Sequence, residues 1–478
     1  MSTEPFGAFD RRALLAGLAL APLALPLGRA ATASPARRPH ILWRQGWDIK
    51  NIGDVAHVPG AISLLRRYVP EASITLWASQ DLVFRGETAR LAGFADGAID
   101  AGRLSRAIDP DLEIVTGLCD ARGRGDNPAL DAAIARADMM VEGTGAGLVG
   151  AQLEGYRRRT GGPIGFFGVT VDPMNFANLT PGSADVDALR DAAFIFTRDT
   201  LSLKVLTNQD PDGPDGTMRD LPSTAIDETI NRVATGVDFS DKRPSFVPDT
   251  AFAFRSRDEA SARAFMARHG LEPGRFACFV PRHRWTPTGR PTPKGDSREA
   301  YDAAFQPQDL AKMRIALTDY VTRTGNRAAL VPETIHGLAL LKEMRDQLPP
   351  AILDRTAVMD GFWLPDMAAS LFGHAQVVVS MENHSPIIAA TAGTPFVMLH
   401  QPEDTIKSQM FSDIGLDDWY VHDIGAVTGA DISRIMMRIV RDQGPARARL
   451  ARVMQRVADR QRAGMETVRR ALSAGMRR

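Results

Sequence analysis

Glu382, Asn383 and His384 follow one another directly, between the apolar run Gln376-Val-Val-Val-Ser380 and a second apolar segment that opens at Ser385. A carboxyl, an amide and an imidazole in a row offer hydrogen-bonding groups and a side chain that exchanges a proton near neutral pH. Arg282-His283-Arg284-Trp285 follows another apolar run, Phe276-Ala-Cys-Phe-Val280, after a single proline. Two guanidinium groups at a strand end suit a phosphate or carboxylate. Asn51-Ile-Gly53-Asp54 follows the short apolar strand His40-Ile-Leu-Trp43. Gly53 permits a tight turn there, and Asp54 can take a proton from a hydroxyl or cap the helix that follows. Gly143, Gly145 and Gly147 form a G-x-G-x-G loop after Ala137-Asp-Met-Met-Val141. Such a loop can turn backbone N–H groups toward an anion, or allow close strand–helix packing. Its spacing is not that of a dinucleotide fingerprint.

Each of these groups lies at the end of a strand, and the strands alternate with helices. Val58, Ile62, Leu65 and Val69 recur at helical spacing before Pro70, and Ser73-Ile-Thr-Leu-Trp77 is the next strand. Pro163-Ile-Gly-Phe-Phe-Gly-Val169 and Ala193-Phe-Ile-Phe196 read as buried strands, and Asn208–Gly216 as a turn-rich surface loop. The alternation restarts after residue 255. Arg257–His269 is helical, Phe276–Val280 a strand, and Leu310–Thr324 a long helix with Asp309 placed to cap its start. Ala328–Val331, Gln376–Ser380 and Pro395–Leu399 are further strands, and Thr286–Glu299 has the composition of a lid. The tail from Ala430 is helical and broken at Gly444-Pro445.

The pattern predicts an α/β chain of two Rossmann-like lobes, 40–255 and 256–430, with a central cleft between the sheet ends. Helices over 431–478 are expected to pack back on the N-terminal lobe. The length of 478 residues suffices for two such cores. Lys plus Arg equals Asp plus Glu at 57 each, so no net field recruits nucleic acid or an anionic membrane, and anion binding must be local. The two cysteines, Cys119 and Cys278, exclude a cysteine-rich zinc site, and Cys278 reads as strand packing. No H-x-x-H, H-E-x-x-H or clustered carboxylate pattern is present, so neither a metal site nor a cofactor is expected. Arg11-Arg12, an apolar run to about Leu27 and Ala31-Thr-Ala33 read as a leader over 1–33 of twin-arginine type, or an ordinary secretory one. An extracytoplasmic chain with no stable membrane span after cleavage is the expectation.

Taken in order, Asn51–Asp54, Gly143–Gly147, Gly165–Val169, Thr197-Arg-Asp-Thr-Leu-Ser202, Pro248-Asp-Thr-Ala-Phe252, Ser380-Met-Glu-Asn-His-Ser385, Ala389–Pro395 and Lys407 resemble the polysaccharide pyruvyl transferase family. The resemblance implies a glycosyltransferase-B-like fold. It implies transfer of the enolpyruvyl carbons of phosphoenolpyruvate (PEP) to two hydroxyls of a saccharide acceptor, forming a ketal and releasing phosphate. His384 would then be the acid or a phosphate ligand and Asp54 the base. Arg282, Arg284 and Lys407 would hold the anionic donor, with Arg198, Glu382, Asn383, Gly53, Gly143 and Gly145 as further binding residues. The family's Arg-x-His is Glu382-Asn-His384 here. An ionised carboxylate about 4 Å from a phosphate oxygen opposes binding by roughly 4 kcal/mol at an effective dielectric near 20. Two alternatives follow. Gly53–Ala78 and Ala389–Leu399 are also similar to heptosyltransferase-type glycosyltransferases, where Glu382 can grip sugar hydroxyls; the other is a glycan-binding relative that has lost the PEP site.

Overall fold

The computed structural model of the protein describes residues 37–46, 48–171, 179, 181–207, 238–287, 291–292, 295–404 and 406–476. The expected leader and the turn-rich loop 208–216 lie outside them. Among the described residues two parallel sheets form the framework. The first contains β1 (His40–Gln45), β2 (Ser73–Ala78), β3 (Glu113–Thr116), β4 (Met139–Glu142), β5 (Gly145–Ala146), β6 (Ile164–Thr170), β7 (Ile195–Thr197) and β8 (Ser245–Phe246). The second contains β9 (Phe276–Val280), β10 (Arg327–Leu330), β11 (Thr356–Val358), β12 (Val377–Ser380), β13 (Phe396–Leu399) and β14 (Tyr420–Val421).

The strand orders are β3-β2-β1-β4-β6-β7-β8, with β5 paired on β6, and β11-β10-β9-β12-β13-β14. Every pairing is parallel, as in His40 with Ser73 and Val377 with Ala277. Parallel strands covered on both faces need continuous apolar runs, and Ile164–Thr170 and Phe276–Val280 are buried at every position. Cys278 is one of these strand residues. The order reverses between β1 and β4 in one lobe and between β9 and β12 in the other, the switch points where such sheets open a crevice. The two-lobed Rossmann-like reading therefore holds.

Four helices matter for the site. α1 (Ile52–Tyr68) joins β1 to β2, α2 (Arg298–Thr324) joins β9 to β10, α3 (His384–Thr391) joins β12 to β13, and α4 (Gln443–Gly475) is the long final helix. α2 departs from the expected start at Leu310. Ser297 caps it by accepting from the Ala300 N–H at 3.2 Å, and Pro307 sits inside the helix. One missing N–H removes a single rung, which a long packed helix tolerates. Asp309 is consequently an interior, buried residue of α2 rather than its cap. Pro445 falls in the first turn of α4, where proline belongs. α4 returns to the first lobe: Gln461 donates to the Asp249 carbonyl at 2.8 Å, and Gly464 lies against Phe167 and Val247. Among the described residues no helix is long and apolar enough to cross a membrane.

Candidate functional site

The first turn of α1 is held by Asn51, whose side chain accepts from the Gly53 N–H at 2.8 Å. Asp54 is therefore not the cap. It stands in the first turn, half-buried, with His57 three residues on and on the same face. The chain before α1 is tied to the second lobe by backbone bonds. The Ile52 N–H donates to the Glu333 carbonyl at 3.0 Å, and the Ile335 N–H donates to that of Lys50 at 2.8 Å. These ties bring the N-terminus of α1 against the N-terminus of α3. There, a Cβ at Gly53 would stand 1.9 Å from Cγ of His384, so only glycine lets the imidazole seat.

His384 is 3 % exposed and fixed from both sides. Its Nδ1 lies 3.2 Å from Oε1 of Glu333 and its Nε2 lies 3.0 Å from Nε2 of His57. Glu333 also accepts from the N–H and hydroxyl of Ser385, at 2.5 and 2.7 Å, so this carboxylate does the capping of α3. Burial alone would raise Glu333, but its bonds to His384 and Ser385 hold it below the usual range. That bond assigns the Nδ1 proton to His384 and leaves Nε2 with the lone pair. On the first-lobe side, His57 Nε2 is 3.2 Å from Oδ2 of Asp249, which also accepts from Arg198 at 2.8 Å. Arg198 further donates to Thr170 at 2.6 Å. Burial opposes ionisation of Asp249, yet His57 and Arg198 hold it well below the carboxylate range. Burial pushes His57 down, against the pull of Asp249.

The second-lobe switch point holds a different cluster. Arg282 reaches Glu382 through Nε at 3.2 Å and Asp404 through Nη2 at 3.1 Å, and Lys407 reaches Asp404 at 3.2 Å. Asn383 donates to Asp404 and accepts from Ser408 at 2.5 Å. The Nη1 of Arg282 is buried and has no hydrogen-bond partner among the described residues. Burial pushes Glu382 up to about 8, with Arg282 opposing and the charge of Glu333 adding to the rise. Burial therefore favours the uncharged form of this carboxyl, which lessens the repulsion expected between it and a phosphate.

Arg284 is engaged elsewhere in the same lobe. It forks onto Asp309 at 2.8 and 3.0 Å and reaches Glu403 at 3.0 Å, while Phe305 stacks on it. The described residues flanking the expected lid are tied down too: Arg298 donates to the Thr286 carbonyl at 3.3 Å and lies over Trp285. Of the glycine loop, Gly143 is a packing position, since a Cβ there would meet Gln45 and Trp43 within 2.3 Å. A Cβ at Gly145 would meet nothing within 4 Å. Arg44 and Glu142, at the ends of β1 and β4, pair at 2.8 Å. The structure thus joins His384, Gly53 and Asp54 in one place, Arg282, Glu382, Asn383 and Lys407 in another, and Arg198 in the buried network behind His57. Sequence reasoning passed over His57, Glu333 and Asp404. Glu333 follows β10 at its C-terminal end, and His57 lies one turn after Asp54, so strand-end and helix-face rules pointed to both.

No protein-family model matches the chain, and no curated protein does. Solved structures similar to it include the ADP-heptose LPS heptosyltransferase II of E. coli (12% identity, covering 85% of this chain and 99% of that one, TM-score 0.45). Others are the UDP-GlcNAc 2-epimerase of Neisseria meningitidis bound to UDP-GlcNAc (8%, 90% and 99%, 0.48) and the family 9 glycosyl transferase of Veillonella parvula (12%, 84% and 97%, 0.42). Likeness at this level carries nothing about chemistry, and the architecture rests on the two strand orders. The protein is built of two Rossmann-like lobes, each on a parallel sheet.

Proposed function

We propose that this protein transfers a group from a phosphate-bearing donor to a saccharide hydroxyl, and that the donor is a nucleotide-activated sugar. The observation that carries the reading is the buried Nη1 of Arg282 at the second-lobe switch point, without a partner among the described residues and close to Lys407 and Glu382. A buried guanidinium donor without a partner is costly, and a phosphate oxygen satisfies it with a charge-assisted bond. Glu382 and Asp404 add acceptors for ribose or sugar hydroxyls. Across the lobe junction, Asp54 and the lone-pair Nε2 of His384 are the groups that take the acceptor's proton as its oxygen attacks the donor carbon, whose bond to the phosphate oxygen breaks to release the nucleotide, with Arg282 on the departing phosphate. Glu333 orients His384 and stabilises the imidazolium that results.

A second reading is enolpyruvyl transfer from PEP. It is favoured by the meeting of Arg198, Asp249, His384 and the Asn51–Asp54 turn, the landmarks of the pyruvyl transferase resemblance, in one bonded neighbourhood. In that reaction His384 would first take the proton of the attacking acceptor hydroxyl at Nε2 and then pass it to the methylene carbon. Titration calorimetry of the protein with nucleotide sugars and with PEP, beside Arg282→Ala, separates the two. Saturable binding of a nucleotide sugar that Arg282→Ala abolishes supports the first reading. PEP binding alone transfers the conclusion to the second, and binding of neither overturns both.

A further inference from the structure

We propose that Asp54, His57 and His384 form a site for a zinc-class divalent transition metal that bridges the two lobes. The ligating atoms of the three side chains all lie within 4.8 Å of one another. Two imidazoles and one carboxylate are a donor set that such ions take, with positions left for water. Metal–nitrogen bonds of about 2.1 Å at a right angle place two nitrogens about 3.0 Å apart. The Nε2 atoms of His57 and His384 stand at 3.0 Å. Two bonds of that length span at most about 4.2 Å, so Asp54, half-buried on the first turn of α1, needs only a small side-chain adjustment.

Two further features are those of a metal site. Glu333 holds Nδ1 of His384, the carboxylate–histidine arrangement that orients a ligating imidazole and fixes its tautomer. His57 is 1 % exposed, and its Nδ1 is buried with no hydrogen-bond partner. Binding would move the His57 ring proton from Nε2, where Asp249 and His384 accept it, to Nδ1, so neither imidazole has to give up a proton to solvent. His57 belongs to the first lobe and His384 to the second, so the ion would staple the lobes. It would also occupy the lone pair of His384 and the carboxylate of Asp54, which transfer requires. Metal binding rests on the three donors alone. Its consequence, a metal-dependent off state, rests on the transfer reading given above.

The test uses chelator-stripped full-length protein, titrated with zinc against a chromophoric competitor and with cobalt read by its visible absorption. One equivalent of zinc is expected, held at least tenfold more tightly than by Asp54→Asn or His57→Gln, with a tetrahedral or five-coordinate cobalt spectrum in the wild type only. His57→Gln keeps a hydrogen-bonding group toward Asp249, and unfolding curves of both variants check that they fold. No stoichiometric uptake, or equal uptake by folded variants, overturns the proposal. A parallel titration of nucleotide sugar and PEP, with and without zinc, keeps the two conclusions apart. Zinc uptake with no donor binding leaves the metal site and removes the transfer reading, whereas donor binding with no zinc uptake does the reverse.

Discussion

The two lobes carry the same pair of side chains at the same place. In the first, Arg44 on β1 meets Glu142 on β4; in the second, Arg282 just after β9 meets Glu382 just after β12. Both glutamates are buried and pushed up, to about 7 and about 8, with the neighbouring arginine opposing each rise. Each arginine also keeps one buried nitrogen without a partner, Nε in Arg44 and Nη1 in Arg282. The difference lies in what surrounds them. Arg282 shares Asp404 with Lys407, so its neighbourhood has two cations, and its nitrogen without a partner among the described residues is a terminal one. Among the described residues Arg44 pairs with Glu142 alone, and its nitrogen without a partner is the inner Nε. Repetition of a fold thus repeats a brace between two strands, and in the second lobe a lysine and an aspartate are added to it; under the proposed function that addition turns the brace into a donor site.

The sharpest way to break this comparison is to truncate both arginines. Arg282→Ala is expected to weaken binding of the phosphate-bearing donor by at least a hundredfold, and Arg44→Ala by less than about threefold, as read by calorimetry. Equal losses would show that the two pairs do the same work. Next in size is Gly53→Ala, whose Cβ would displace His384. Overpacking of that kind costs about 1–3 kcal/mol, measurable by urea unfolding, and donor affinity should fall with it. Asp404→Asn should act in the opposite direction. Releasing Arg282 and Lys407 from their shared carboxylate is expected to raise anion affinity about tenfold, and an unchanged or lower affinity would mean that Asp404 contributes to the ligand itself.

The smallest expected effect on donor binding is in its pH dependence. The folded-state pKa of Glu382, about 8, lies above the ordinary 4.5, so the protonated carboxyl favours the fold. That contribution is full below about 4.5 and gone once pH passes about 8. Unfolding free energy should therefore fall over that window, and Glu382→Gln should flatten the fall. Donor binding by the wild type should weaken several-fold between pH 7 and 9, as the ionised carboxylate begins to oppose the phosphate, and the variant should not follow it. Parallel profiles for wild type and variant would place the titrating group elsewhere.

Much of this was legible in the sequence because parallel strands announce themselves. Runs such as Phe276–Val280 and Gln376–Ser380 are apolar throughout, and the rule that ligands gather at strand ends pointed to Arg282 and Glu382–His384. What the sequence hid is the partner of each charge. Arg284 and Arg282 look alike two positions apart, yet one is clamped by Asp309 and Glu403 and the other keeps an open nitrogen. Such pairings are made across a hundred residues of chain or more, as between Arg282 and Glu382 or His57 and His384. The helix start missed at Arg298 has a local cause: the largely polar, exposed stretch before Leu310 shows little apolar periodicity, yet Ser297 caps the helix and it runs through Pro307. The protonation of Glu382 was equally hidden, because burial decides it and burial is a property of the fold.

The return of α4 to the first lobe bears on how the molecule is made. The last strand of the first sheet ends at Phe246, yet the helix that seals its flank begins at Gln443 and supplies Gln461 to the Pro248-Asp249 backbone. Between them lies the whole second sheet. As the ribosome delivers the chain, the lobe that emerges first must wait, with Phe167 and Val247 uncovered, until the other has been synthesised in full. The order of synthesis and the order of completion are reversed: the first lobe is begun first and closed last.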